Sequence, residues 1–452
     1  MAIHDPALLE KRLSDFSPRV RRDSLEALDA AGAAPAVESG NVNLHCHSFF
    51  SYNAEGWSPS RIAWSCRQQG LYAAALCDFD VLDGLDEFLD AGLLLGLRTA
   101  VHLETRAFVQ AQAQVEINSP GEPGVTYIMG SGFTAKPAAD TPQGRQLAAF
   151  REAARVRNEA LIARINASLP AIAIQYAHDV LPLTPLSMAT ERHIVRAYVA
   201  RAHSAFADAA RRAAFWAPLL HRTPEACAAL AADASKFEEA VRGALAKRGG
   251  IGYVQPDAAT FPPVETFIAW VRSCDALPTI TWLDGTSGGE SDCRALLDLM
   301  VQQGCAALNI IPERNWNIAK PDERTLKTAK LDEIVRAAAA RHLPVNIGTE
   351  MNRQGLPAAD DLNGPVLGQY RETFLLGAQV MIGHTVLARY AGAPYLGARA
   401  LAEFPQLAAR NRFYAAVGAL PPLLREMADQ LLDAGSARAF AMLADAAKRH
   451  GA

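Results

Sequence analysis

Three stretches decide the fold: NVNLHCHSFFS (41–51), YAAALCDFD (72–80) and LRTAVHLETR (97–106). Each is an apolar run of strand length that ends in acid, base or metal-capable side chains, and helical periodicity separates one from the next. The same rhythm continues in IGYVQP (251–256), LPTITWLDG (277–285), CAALNII (305–311), LPVNIGTE (343–350) and AQVMIGHT (378–385). Strands alternating with helices predict β/α units around a parallel sheet. Runs rich in Val, Ile and Leu suit strands covered on both faces.

The flanking and interrupting segments read differently. Residues 1–40 predict a helical N-terminal extension. Residues 41–390 hold the barrel, with a helical, alanine-rich insertion at 145–250. Residues 391–452 predict a helical tail. INSPGEPGVTYIMGSGFTAK (116–135) carries Pro-Gly turn chemistry around a short strand, Val125–Met129.

Composition bounds the function. The chain has 452 residues, half of them apolar and a fifth charged, enough for a sizeable core. The net charge of −4 offers no polybasic excess for a nucleic-acid backbone. No apolar run reaches the ~18 residues of a membrane span, and the N-terminus has no signal-peptide core. The seven cysteines form no C-x-x-C, which argues against a disulfide framework or a zinc knuckle and for a cytoplasmic protein. The expected partner is a small-molecule substrate, with no nucleic acid and no membrane; self-association is left open.

The residues at the strand ends carry the chemistry. In a parallel barrel the C-terminal strand ends converge on one face, where the active site lies. His45 and His47 are two residues apart on a strand, so both leave the same face and could grip one ion. Glu104 ends the third strand, with Arg106 beyond it. Asp78 and Asp80 close the second strand as ligands, as groups that orient the imidazoles, or as helix caps. Asp284, Glu350 and His384 end later ones. Gathered carboxylates and imidazoles would be costly to desolvate together, and a divalent cation relieves that cost.

HCHSFFS (45–51), CDFDVLDGL (77–85) and HLETR (102–106) in this order resemble the opening of the PHP (polymerase and histidinol phosphatase) family of metal-dependent hydrolases, as a divergent member. The resemblance implies a distorted (β/α)7, TIM-like barrel. It implies phosphoesterase activity and His45, His47 and Glu104 as ligands. TEMN (349–352) is similar to a family Ser-Asp-x-His motif, which puts Glu350 on the same ion. Tyr52 or Asn53, Phe79 and Asn352 stand where ligands of a third ion would be, so that ion is not expected. Tyr127 and Trp282-Leu283-Asp284 replace ligands of a second ion, for which His193, Asp284 and His384 are substitutes.

The cofactor expected is therefore a divalent ion (Zn, Mn or Fe) at one site, with room for a second. Asp284 and Asp78 are the candidate catalytic carboxylates. Arg106, Arg192, Arg314 and Arg353 are candidates to bind a substrate's non-bridging oxygens. GYVQPDAATFPP, TWLDGTSGGE and NIIPERNWNI suit a pocket for a polar small molecule, where Trp282 or Trp316 could stack on a ring. The reading is a metal-dependent phosphoesterase on a small polar, sugar- or nucleotide-like substrate. Its alternatives are an amidohydrolase-like hydrolase or lyase on a non-phosphate substrate, or a degenerate barrel that binds without turnover.

Overall fold

The computed structural model describes residues 5–32, 35–185 and 188–450. Seven strands form one sheet in sequence order: β1 (Val42–Cys46), β2 (Ala73–Phe79), β3 (Arg98–Phe108), β4 (Val125–Ser131), β5 (Leu277–Trp282), β6 (Ala307–Ile310) and β7 (Val345–Ile347). All neighbours pair in parallel except β4, which runs antiparallel to both β3 and β5. The sheet closes on itself just past β7. The Glu350 N–H donates to the His45 carbonyl (2.8 Å), and the His47 N–H donates to the Glu350 carbonyl (2.9 Å). The approach is tight: a Cβ on Gly348 would collide with the backbone and Cβ of His45. The fold is thus a distorted, TIM-like α/β barrel.

Helices cover it. In chain order they are α1 (Pro6–Arg12), α2 (Pro18–Ala30), α3 (Pro59–Gln68), α4 (Leu85–Leu95), α5 (Pro142–Ser168), α6 (Glu191–Ala205), α7 (Ala209–Leu219), α8 (Pro224–Ala231), α9 (Ala234–Ala246), α10 (Val264–Ser273), α11 (Cys293–Gln303), α12 (Glu313–Trp316), α13 (Pro321–Ala340), α14 (Arg371–Ala391), α15 (Ala398–Glu403), α16 (Leu407–Gly418), α17 (Arg425–Ala434) and α18 (Ser436–His450). The segment from α5 to α9 lies between β4 and β5 and has a hydrophobic core of its own, with Tyr198, Trp216 and Val241 buried in it. α1 and α2 dock on the barrel through Leu9, Leu13, Leu25 and Leu28, and Arg21 pairs with Glu87 of α4.

Two expected strands are absent. IGYVQP (251–256) is a loop, with Ile251 and Val254 exposed. AQVMIGHT (378–385) lies inside α14. There Ala378, Val380, Met381, Ile382, Gly383 and His384 are all buried, and a helix buried on every side shows the same unbroken apolar run as a central strand. The place of one lost strand is taken by Val125–Ser131. It is the short strand expected at Val125–Met129, extended to Ser131, and its antiparallel direction needs no crossover helix.

α14 packs on α16 with the two backbones in contact. A Cβ on Gly383 would collide with the Tyr414 carbonyl, and one on Gly418 with the Gln379 carbonyl. Gly383→Ala should therefore lower stability by about 1–3 kcal/mol through overpacking. Gly243→Ala, in α9 with open space around it, should raise it by roughly 0.5–1 kcal/mol. Urea unfolding checks both. Equal effects of the same sign would refute the close packing of these helices.

Candidate metal centre

The end of β1 is built as a ligand clamp. His45 Nε2 and His47 Nε2 stand 3.6 and 3.5 Å from the same oxygen, Oε2 of Glu104. All three side chains are buried, and their three ligand atoms lie within 4.8 Å of one another. The separations are long for hydrogen bonds. They match ligands of a common ion: two ligands each ~2.1 Å from a tetrahedral ion stand about 3.4 Å apart.

The partners of the other ring nitrogens fix the tautomers. His45 Nδ1 lies 2.9 Å from Asn309 Oδ1, an oxygen that can only accept, so Nδ1 carries the proton. Ser51 Oγ donates its hydrogen to Asp78 Oδ1 (2.7 Å). It must therefore accept from His47 Nδ1, 3.1 Å away. Nε2 is therefore the nitrogen that each ring leaves for an ion, and both Nε2 atoms are buried without a hydrogen-bond partner. Burial, with the charges of His45 and Arg192, lowers the His47 pKa to about 3, which leaves its Nε2 lone pair open near neutral pH. Burial would lower the His45 pKa, but Cys77 and Glu104 overcome that and raise it well above its usual value, so an ion held there would displace a proton from Nε2. With that proton gone, two imidazoles and one carboxylate fit a divalent ion such as zinc. Among the described residues no second group of three such side chains converges.

This centre forms part of the floor of a cavity of about 730 Å³. Phe79 stacks on the His47 ring, 5.0 Å between centroids, and so fills one of the positions considered for a further ligand. The other positions are equally committed. Asn53 donates to the His47 carbonyl (2.9 Å). Asn352 donates to Glu350 Oε2 (2.8 Å). Tyr52 lies under the guanidinium of Arg196.

Glu350 lines the cavity beside the trio, outside the convergent set. Its Oε1 accepts from Arg314 at 2.7 Å. Burial would raise its pKa, but Arg314, His45 and His47 overcome that and hold it at about 2. Glu350 (φ 61°) and Asp80 (φ 56°) both take the left-handed conformation, rare for such residues and frequent at functional sites. Asp80 also lines the cavity. It accepts from Thr105 Oγ1 at 2.6 Å, and burial raises its pKa against the pull of Arg157, Thr105 and Arg106.

Several expected site residues lie elsewhere. Asp78 is buried with its oxygens taken up by Ser48 N (2.7 Å), Ser48 Oγ (2.6 Å) and Ser51 Oγ (2.7 Å). It holds His47 through Ser51 and does not line the cavity. The Asp284 carboxylate pairs with Lys327 (2.9 Å) and accepts from Thr286. Glu290, buried behind it, fixes this turn by accepting from the N–H groups of residues 283–285. His384 donates from Nε2 to the Gly132 carbonyl (2.9 Å) and accepts at Nδ1 from Tyr395 N–H (3.1 Å). No lone pair remains on it for an ion, and burial lowers its pKa to about 4. His193 caps α6, its Nδ1 accepting from Thr190 N–H (3.1 Å). Arg353 pairs with Glu313 (3.3 Å) outside the cavity. Arg106, Arg192 and Arg314 do line it, as does Trp282, whereas Trp316 does not.

The sequence reading missed what the helical insertion contributes. Arg157, Arg164, Arg242, Lys247 and Arg248 also line the cavity, whereas Tyr253 and Phe261 line it from GYVQPDAATFPP, a stretch expected to suit a pocket. The available signal was the density of arginine in an otherwise alanine-rich segment. Asn309 and Ser51, which set the tautomers, carry no signal beyond their positions near strand ends.

No family model matches the chain, and no curated protein matches it. Several solved structures are similar to it, among them the following two. One is from Bifidobacterium adolescentis and is described as a metal-dependent phosphoesterase. It is 20% identical, with a TM-score of 0.46, over 75% of this chain and 98% of that one. The other is an amidohydrolase from Chromobacterium violaceum with bound sulfate and no metal. It is 16% identical, with a TM-score of 0.49, over 74% of this chain and 96% of that one. Among the described residues no helix is long and apolar enough to cross a membrane.

The contrast between histidines is testable by elemental analysis of purified variants. His45→Ala should lose bound divalent metal. His384→Gln should keep it within twofold and lose about 1–3 kcal/mol of stability instead. Metal loss in the second variant alone would refute the site.

Proposed function

We propose that the chain is a metal-dependent hydrolase, and that its substrate is a phosphate ester of a small polar molecule. One observation carries the reading: two unpartnered imidazole Nε2 atoms and a carboxylate converge on the floor of a cavity whose walls are rich in guanidinium groups. His45, His47 and Glu104 would hold the ion, with Glu350 beside them. A divalent ion bound there supplies Lewis acidity to a substrate oxygen and to water.

The chain's own groups have separable tasks. Asn309, and Asp78 through Ser51, hold each imidazole in the tautomer that presents Nε2. Comparable outer contacts are worth ~10–100-fold in metal affinity elsewhere. Arg314, charged and held at Glu350, and Arg106, held at Glu122 (3.0 Å), offer bidentate donors to the non-bridging oxygens of a phosphate. Asp80, with its raised pKa and a place on the cavity wall, is suited to hold or deliver the proton at the leaving oxygen. It takes the role expected of Asp284, whose carboxylate is engaged by Lys327.

A panel of phosphomonoesters, phosphodiesters, amides and lactones tests the reading. Phosphate-ester hydrolysis should vanish on chelation and return with zinc, manganese or iron(II). Asp80→Asn should lower kcat by about 10²–10³-fold, the usual weight of a general acid or base, while metal content stays constant. Turnover confined to amides or lactones would overturn the phosphate assignment. Chelation-resistant turnover would overturn the metal dependence.

A further inference from the structure

The basic side chains around the cavity divide into two groups. Arg242 and Lys247 pair with Glu191 (2.6 and 3.0 Å), Arg192 with Glu239 (3.2 Å), Arg106 with Glu122 and Arg314 with Glu350. Arg157, Arg164 and Arg248 line the same cavity, and among the described residues none of them has a carboxylate within ion-pair distance. Arg157 donates once to the Thr260 carbonyl (3.2 Å) and Arg164 once to the Gly252 carbonyl (2.7 Å). A guanidinium has five N–H donors, so most of theirs remain uncommitted.

Arg157 and Arg248 share one corner with Arg106, and Arg164 holds the carbonyl of Gly252 in the loop that leads to Phe261. The guanidinium carbons of Arg106 and Arg157 lie 4.3 and 4.7 Å from the centre of the same ring, Phe261. Arg248 packs on the turn at Gly121, within the loop that supplies Glu122. Arg106 pairs with Glu122, and Asp80 attracts Arg157 and Arg106 from beyond contact; with Arg164 and Arg248 unpaired, positive charge is in excess along this wall. Burial also lowers the Arg157 pKa despite the attraction of Asp80, as expected for a cation without an adequate counter-charge. The corner lies beyond the metal centre. Arg106 is two residues past Glu104 on β3, which is roughly 6.5 Å farther toward the rim, and Arg157 shares the Phe261 ring with it.

We infer that Arg157, Arg164 and Arg248 form a second anion subsite, so that the substrate carries, besides the ester phosphate, a distal carboxylate or phosphate that docks on the helical insertion. This rests on the phosphoesterase reading for the identity of the reacting group, but the subsite itself is a binding claim. The insertion has its own core, so α5 and the turn after α9 present these cations on a preformed wall. Such a subsite selects for doubly anionic molecules that span metal and insertion.

Three six-carbon probes separate the cases: glucose 6-phosphate with one anionic group, 6-phosphogluconate with a distal carboxylate, and fructose 1,6-bisphosphate with a distal phosphate. Calorimetry on the full-length, metal-free protein should show at least tenfold tighter binding of one or both doubly anionic probes. Which of the two gains identifies the distal group. Arg157→Ala/Arg164→Ala should reduce that ratio to below threefold, and Arg248→Ala, at an exposed position that folding does not need, should reduce it in part. Arg155→Ala on the same helix, whose partners are Glu152 and Glu159, should leave the ratio intact. No preference in the wild type, or a preference that survives all three substitutions, overturns the subsite. A preference without hydrolysis of any probe by the metal-loaded protein upholds the subsite and counts against the phosphoesterase reading.

Discussion

Two imidazole nitrogens buried without hydrogen-bond partners are the constraint around which the rest of the molecule is arranged. A buried acceptor left unmet costs about 1–3 kcal/mol, and Glu104, the carboxylate beside them, adds a desolvation cost that is reflected in its raised pKa. His45 and Glu104 relieve this only in part, each favouring the other's charged form. Asn309, Ser51 and Asp78 commit the opposite ring nitrogens and hold the Nε2 atoms open. Such a site is unfavourable as an empty structure and favourable as a ligand set. Much of its geometry depends on backbone closure: Glu350, in a strained conformation, is hydrogen-bonded between His45 and His47 and joins the last strand to the first.

The division of labour in the cavity follows from topology. The barrel supplies the floor, where strand ends place short, rigid ligand side chains. The insertion between β4 and β5 supplies much of the wall, where helices and a long loop place arginines that reach inward. Interrupting the barrel with an antiparallel strand allows this. β4 needs no covering crossover helix, so the chain leaves the barrel after it, builds a separate core and returns at β5.

The trio His45, His47 and Glu104 was legible in the sequence because β-strand periodicity and strand-end position are local signals. So were the barrel class, the helical extensions and the insertion. Two of the late site residues, Asp284 and His384, were not. Asp284 and His384 end apolar runs just as His47 does, yet one run turns away under the hold of Glu290 and Lys327, and the other is the interior of a helix. Those outcomes depend on partners distant in the chain, which periodicity does not encode. The insertion's arginines were missed for a related reason: on an alanine-rich helix a charged residue reads as a solvated face until the packing shows that face turned to a cavity.

X-ray absorption at the metal edge of the loaded protein addresses the central claim most directly. The account predicts a shell with two imidazole nitrogens at about 2.0–2.1 Å and at least one carboxylate oxygen, with the imidazole signal lost in a His45→Ala/His47→Ala variant. A shell of oxygen ligands alone, or an imidazole signal that persists in that variant, would contradict it.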